Sequence, residues 1–248
     1  ETLPRLRLLL RRIRETADDI AARDPDVIVT IDAPSFALRV VGRLKTHRAQ
    51  RLHYVAPQLW AWRPGRIRAY RAAFDRLLAL LPFEPEYFAP KGLACSFVGH
   101  PAAARPHTGD AAQFRARHAL GGAPILLLLP GSRAGEIARM LPVFAGAAQI
   151  LRKEQTELRC VLMAAPGHEE RLKAATAAWS DPPLIAPASE RADLFAAAQL
   201  AMAASGTVSV ELATAGVPHV IGYQVNRLTA FLARRLIKVP YVNLVNIV

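Results

Sequence analysis

Five consecutive apolar residues, Ile125-Leu126-Leu127-Leu128-Leu129, run straight into Pro130-Gly131 and then into a helical pattern. An uninterrupted apolar run of that length, closed by turn residues, suits a strand buried on both faces, and such strands belong to parallel sheets covered by helices. The sequence after it repeats the theme. Strands are expected at Arg159–Ala164, Leu184–Ala186, Leu200–Ala203 and His219–Gly222, separated by helices at Gly135–Lys153, Glu169–Trp179, Arg191–Ala197, Val208–Ala215 and Leu228–Lys238. Before it, a helix at Leu3–Ala22 precedes a strand at Asp26–Ile31, with further short runs at Arg51–Val55 and Leu77–Leu80. Strands alternating with helices in this way predict an α/β fold of two Rossmann-like doubly wound domains, with ligands at the carboxyl ends of the strands.

The stretch between Gly99 and Pro124 is rich in Ala, Pro and Gly, and its His100-Pro101 and Arg105-Pro106 pairs favour extended or turn backbone. The domains are therefore expected at 1–105 and 106–248. Glu1 is not an initiating Met, and Val248 falls inside an apolar stretch, so the chain reads as an internal piece, its first domain incomplete and its C-terminal end truncated.

The balance of charge narrows the partners. With 32 Lys and Arg against 20 Asp and Glu the formal net charge is +12, but the charge is scattered and no nucleic-acid recognition signature accompanies it. A basic surface also suits phosphorylated sugars and anionic lipid head groups. The two cysteines, Cys95 and Cys160, belong to no CxxC or Cys/His cluster, so a reducing compartment and no structural metal are expected. No apolar run approaches the roughly 18–20 residues of a spanning helix.

Two strand-to-helix turns carry the chemistry. Pro130-Gly131-Ser132-Arg133 ends one strand and opens a helix, offering backbone N–H groups and a positive dipole end to an anion. Arg133 adds a guanidinium fork matched to a diphosphate, and Glu136 can orient it or cap the helix; the plainer reading is a capped turn with a surface Arg. The second turn is Ala204-Ser205-Gly206-Thr207. Gly206 admits close approach of a phosphate, Ser205 and Thr207 can donate hydrogen bonds or cap the helix, and Glu211, one turn on, can receive ribose hydroxyls or simply face solvent. Gly216-Val217-Pro218 reads as a helix stop.

Further upstream, the strand ending at Ile31 delivers Asp32 and then Ala33-Pro34. Asp32 is either a general base for an acceptor hydroxyl or an Asx turn before Pro. Trp60 and Trp62 stand beside Arg63, Arg66 and Arg68, a loop that can hold a head group or pack between domains. The stripe Leu228, Phe231, Leu232 and Leu236 beside Arg227, Arg234, Arg235 and Lys238 suits either an anionic membrane or core packing.

Taken in order, Ile31 to Pro34, Tyr54 to Arg63, Leu81-Pro82-Phe83-Glu84, Gly99-His100-Pro101, Leu129 to Glu136 and Ala204 to Glu211 resemble the lipid-A-disaccharide synthases. The resemblance implies a GT-B-like inverting glycosyltransferase without cofactor or metal, cytoplasmic and peripherally bound to the inner-membrane surface. It implies transfer of diacylglucosamine from its UDP conjugate to diacylglucosamine 1-phosphate, forming a β-1,6 disaccharide and UDP, by an enzyme that can form homodimers and binds no nucleic acid. In its terms Asp32 and Arg133 are catalytic. Gly131, Ser132, Glu136, Ser205, Gly206, Thr207 and Glu211 serve the UDP site, joined by Asn246. Ser35 and Ala37 depart from the family's Asp-Phe-Asn, and the family's glycine-rich N-terminal loop does not occur in this sequence. The isolated piece is expected to be inactive. The alternatives are another UDP-sugar enzyme of the same architecture, an N-acetylglucosaminyltransferase or a 2-epimerase, or a non-catalytic anionic-lipid binder.

Overall fold

A computed structural model describes residues 6–44, 48–104, 108–204, 206–224 and 243–246. The described residues divide into two compact units, one formed by those up to His100 and the other by those from Pro101 onward.

In the first unit, α1 (Leu6–Arg23), β1 (Val27–Ile31), α2 (Pro34–Val41), β2 (Gln50–Tyr54), α3 (Leu59–Trp62), α4 (Ile67–Ala73), β3 (Arg76–Ala79), α5 (Glu84–Phe88) and β4 (Ala94–Phe97) follow in order. The four strands are parallel and lie in sequence order, β1-β2-β3-β4. Right-handed crossovers that always move in one direction put the helices on one face. That face carries the core: Ile28, Leu77 and Ala79 pack with Ile13 and Ala17 of α1, Val40 and Val41 of α2, Tyr70 of α4 and Phe88 of α5. Val27, Val29 and Ile31, alternating with them along β1, are exposed on the other face.

The second unit runs α6 (Ala111–Arg117), β5 (Ile125–Leu129), α7 (Ala134–Glu154), β6 (Arg159–Ala164), α8 (Glu169–Thr176), β7 (Leu184–Pro187), α9 (Arg191–Ala197), β8 (Leu200–Ala204), α10 (Val208–Thr214) and β9 (His219–Gly222). Its parallel sheet has the order β7-β6-β5-β8-β9. The chain winds outward from β5 in one direction and then returns to wind in the other, which is the doubly wound topology.

All five residues of β5 are buried, as an uninterrupted apolar strand requires. Ile125, Leu127 and Leu129 meet Leu194 and Leu212 of α9 and α10 on one face. Leu126 and Leu128 meet α7 on the other, where Ile137, Met140, Leu141, Phe144 and Ala148 form its apolar stripe. Each such leucine contributes about 1.5–3 kcal/mol by leaving water. Gly216, at φ +70°, ends α10 in the left-handed region that glycine adopts without a Cβ penalty. Among the described residues no helix is long and apolar enough to cross a membrane. The basic stripe from Arg227 to Lys238 lies outside the described residues.

Candidate nucleotide-binding site

A doubly wound sheet opens a crevice where its winding reverses, because the two connections leave the strand ends in opposite directions. In the second unit that point lies between β5 and β8, and a cavity of about 420 Å³ occupies it. The turn after β5 supplies Gly131, Ser132, Arg133 and Glu136, and the turn after β8 supplies Gly206, Thr207 and Glu211. Seven residues singled out from the sequence thus share one cavity. Ser205 lies outside the described residues, and Asn246, exposed in a short 3-10 turn at Leu244–Asn246, is not among the lining residues.

Glu136 both orients Arg133 and caps α7. Its Oε1 accepts from Arg133 Nη1 at 2.8 Å, and its Oε2 accepts from the Arg133 backbone N–H at 3.3 Å. The carboxylate is 13% exposed and the Arg133 side chain 73%, so the acid is packed in and the guanidinium reaches out. This arrangement requires Gly131. Its φ of +107° suits few side chains, and a Cβ there would lie 2.7 Å from Glu136 Oε2. A glycine turn, the N-terminus of a 21-residue helix and a held guanidinium make a corner whose chemistry suits an anion.

Across the cavity α10 begins differently from the sequence expectation. Thr207 makes no side-chain cap, because its backbone already has helical φ and ψ. The Ser209 hydroxyl, fully buried, instead donates to the Gly206 carbonyl at 2.8 Å. Nothing would meet a Cβ at Gly206 within 4 Å, so the space beside that backbone is open. Glu211 does not simply face solvent: its Oε2 accepts from Arg191 Nη1 at 3.0 Å. Arg191 begins α9 and lines the same cavity. Sequence reasoning placed that helix but gave its first residue no task, although the strand-end rule that found Arg133 applies equally to a residue just after β7.

The first unit places Asp32 at the carboxyl end of β1, exposed to solvent. Three non-glycine residues cluster there with positive φ: Asp32 at +49°, Ala33 at +44° and Val55, a β-branched residue, at +72°. Ladder bonds hold them, Asp32 N–H donating to the Tyr54 carbonyl at 3.0 Å and Val55 N–H to the Leu78 carbonyl at 3.1 Å. Non-glycine residues in this region cost roughly 1–2 kcal/mol apiece and recur where function needs a fixed geometry. The N-cap of α2 falls on Ala33, which has no side chain to cap with, so Asp32 is not that helix's cap.

Trp60 packs inside its own unit. Its ring meets Phe83 edge-on at 5.0 Å, and its Nε1 donates to Glu84 Oε1 at 3.2 Å. Glu84 is 2% exposed and also accepts from the Leu81 N–H at 3.1 Å; burial raises its pKa, opposed by these donors. Trp62 is exposed, with Arg63 stacked 4.0 Å over its ring. Among the described residues no group of three His, Cys, Asp or Glu is disposed to hold a metal ion.

Solved structures share the fold at low identity. An S. aureus MnaA–UDP co-structure aligns at TM-score 0.66 and 14% identity, covering 97% of this chain and 70% of the other. A UDP-GlcNAc 2-epimerase from Neisseria meningitidis bound to UDP-GlcNAc aligns at TM-score 0.62 and 11% identity, covering 90% and 67%. Sequence relatives are much nearer. Lipid-A-disaccharide synthases of Granulibacter bethesdensis and Rhodospirillum centenum are 43% and 46% identical over all of this chain and 64% and 63% of their own length. The chain thus spans a little under two thirds of these curated relatives. The family model described as lipid-A-disaccharide synthetase matches residues 1–248 from end to end, and the chain belongs to that family.

Proposed function

We propose that this chain forms part of an inverting glycosyltransferase that joins two acylated glucosamines into the lipid A disaccharide. The donor is the UDP conjugate of 2,3-diacylglucosamine, the acceptor is 2,3-diacylglucosamine 1-phosphate, and the products are the β-1,6 disaccharide and UDP. The observation that carries this reading is the cavity at the switch point of the second sheet, where Arg133 and the start of α7 face the Gly206 turn, in a chain of this family.

The chemistry follows from the residues. Inversion at the anomeric carbon needs the acceptor 6-hydroxyl to lose its proton as it attacks, and Asp32 is the carboxylate assigned to take it. The bond to the UDP oxygen breaks as the new bond forms, leaving charge on the diphosphate. Arg133, the N–H groups opening α7 and those of the Gly206 turn stabilise that charge. Gly131 and Ser132 shape the turn, Glu136 fixes Arg133, and Thr207, Ser205 and Asn246 complete the donor site. The enzyme works in the cytoplasm at the inner-membrane surface, where acylated substrates reside. Its net charge of +12 supports attraction to anionic lipid at about 1 kcal/mol per nearby Lys or Arg. A homodimer is part of the same reading.

The test is transfer activity of the whole protein with both acylated substrates. Asp32→Ala is expected to lose about 10²–10⁴-fold, the usual worth of a general base. Arg133→Ala is expected to lose about 10²–10³-fold in turnover. A folded, UDP-binding protein that makes no disaccharide, or that converts UDP-N-acetylglucosamine to its epimer, would defeat the proposal.

A further inference from the structure

Among the described residues that line the cavity, Arg191 is the cation to which the transfer chemistry gives no task. It stands at the first position of α9, just beyond β7, and lines the same cavity as Arg133. The two arginines form parallel pairs with acids one turn into a helix: Arg133 with Glu136 at 2.8 Å and Arg191 with Glu211 at 3.0 Å. The second pair is the more enclosed, its arginine 38% exposed against 73% for Arg133. Arg191 Nε is moreover buried without a hydrogen-bond partner among the described residues. A surface ion pair that merely linked α9 to α10 would contribute little and would have no reason to retain an unpaired buried donor.

The geometry separates the two pairs by task. The diphosphate corner is made by Gly131, Arg133 and the start of α7, facing Gly206 and Thr207. Glu211 lies four residues beyond Thr207, roughly 6 Å further along α10 at 1.5 Å per residue. That displacement leads away from the phosphates toward where the attached sugar of a nucleotide would lie. A glutamate side chain has three rotatable bonds, and freezing them at the moment of binding would cost affinity. Arg191 holds one carboxylate oxygen beforehand, which is preorganisation.

We infer that Arg191 is a positioning residue for nucleoside recognition, holding the Glu211 carboxylate in the orientation that receives the ribose hydroxyls of a uridine nucleotide. This rests on the reading of the cavity as the uridine diphosphate site. Arg133 reads the phosphates and Arg191, acting through Glu211, reads the sugar.

Dissociation constants of UDP, 2′-deoxy-UDP and inorganic pyrophosphate, measured by calorimetry on the whole protein and its variants, separate the two tasks. The wild type is expected to prefer UDP over 2′-deoxy-UDP by about tenfold or more, as one hydrogen bond to a charged group warrants. Arg191→Gln should collapse that preference toward unity while leaving pyrophosphate binding unchanged. Arg133→Gln should weaken pyrophosphate and UDP together and keep the preference. Glu211→Gln should reproduce the Arg191→Gln result, and the double variant should be no worse than either single change. Should Arg191→Gln fail to fold, Arg191→Lys retains the charge without the fork and should still lose most of the preference. A wild-type preference retained in the Arg191 variants overturns the inference, as does UDP binding by the wild type with no preference for the ribose hydroxyl. A wild type that binds no UDP overturns the reading of the cavity as well.

Discussion

Acidification from neutral pH to about 4 should cost the first unit roughly 3 kcal/mol at a single side chain, His53. The residue lies in the middle of the first sheet with no exposed surface, its ring stacked on Phe74 at 4.8 Å. Its Nδ1 is 2.7 Å from the Thr30 hydroxyl, which is also 3.3 Å from the Leu52 carbonyl oxygen. Nδ1 and the Thr30 hydroxyl thus satisfy each other through one short hydrogen bond, whose direction the imidazole tautomer sets. Nε2 is a buried atom without a partner among the described residues, and a proton there would find no acceptor. Burial accordingly lowers the pKa from 6.5 to about 4, against a smaller upward pull from Asp32. The unfolded chain takes up this proton first as the pH falls. The stability is therefore complete above about 6.5 and is lost as the pH drops through that value toward 4. The gap of about 2.5 pH units converts at about 1.36 kcal/mol each to roughly 3 kcal/mol. Urea unfolding across this range, compared with His53→Phe, isolates the effect, because the carboxylates titrate in both proteins and the phenyl ring keeps the stack on Phe74. Equal pH slopes in the two proteins, or a His53 imidazole that titrates by NMR between about 6 and 7, would refute the reasoning. The strand matters beyond stability, since the Tyr54 carbonyl next to His53 holds the Asp32 N–H.

Gly131→Ala forces a side chain into φ +107° and against Glu136; a loss of about 1–3 kcal/mol in thermal unfolding is expected, together with weaker UDP binding as Arg133 loses its anchor. Glu84→Ala leaves the Trp60 indole and the Leu81 N–H unsatisfied in a buried site and should cost about 1–3 kcal/mol per stranded donor, whereas Glu84→Gln keeps one acceptor oxygen for the two donors and should cost about half as much. Because burial raises the Glu84 pKa in the folded state, its ionisation erodes stability as the pH rises from the ordinary carboxylate value toward the raised one, and the Gln variant should lack that decline in unfolding measurements. Leu127→Ala, at a fully buried position of β5, should cost about 2–5 kcal/mol in the same assay.

The second unit was the more legible half of the sequence because its central strands, β5, β6 and β8, are buried along most of their length. The uninterrupted apolar run Ile125–Leu129 set both ends of β5, and the run Cys160–Ala164 set the course of β6 behind its exposed Arg159. In the first unit the strands have one exposed face, so their apolar content is diluted, and Ala94–Phe97, with one aromatic and a serine among its four residues, gave no strand signal. The left-handed turns at Asp32, Ala33 and Val55 were equally hidden, since Ala and Val carry no mark of positive φ and Asp only a weak one. At the site, glycines and helix starts announced the corner proposed to hold the diphosphate, because those residue types are needed for the backbone itself. Arg191 announced nothing. A helix that begins with arginine is ordinary until the sheet order shows that its start opens on the switch point. Thr207 shows the opposite limit: a hydroxyl before a helix can cap it or donate elsewhere, and only the structure shows that its side chain makes no cap bond.

A crystal structure of the protein with UDP bears most directly on the proposed donor site. The diphosphate is expected between Arg133 and the Gly206 turn, with the ribose hydroxyls on Glu211. UDP bound away from the cavity between β5 and β8, or no binding by the folded protein, would contradict the assignment of this crevice as the donor site.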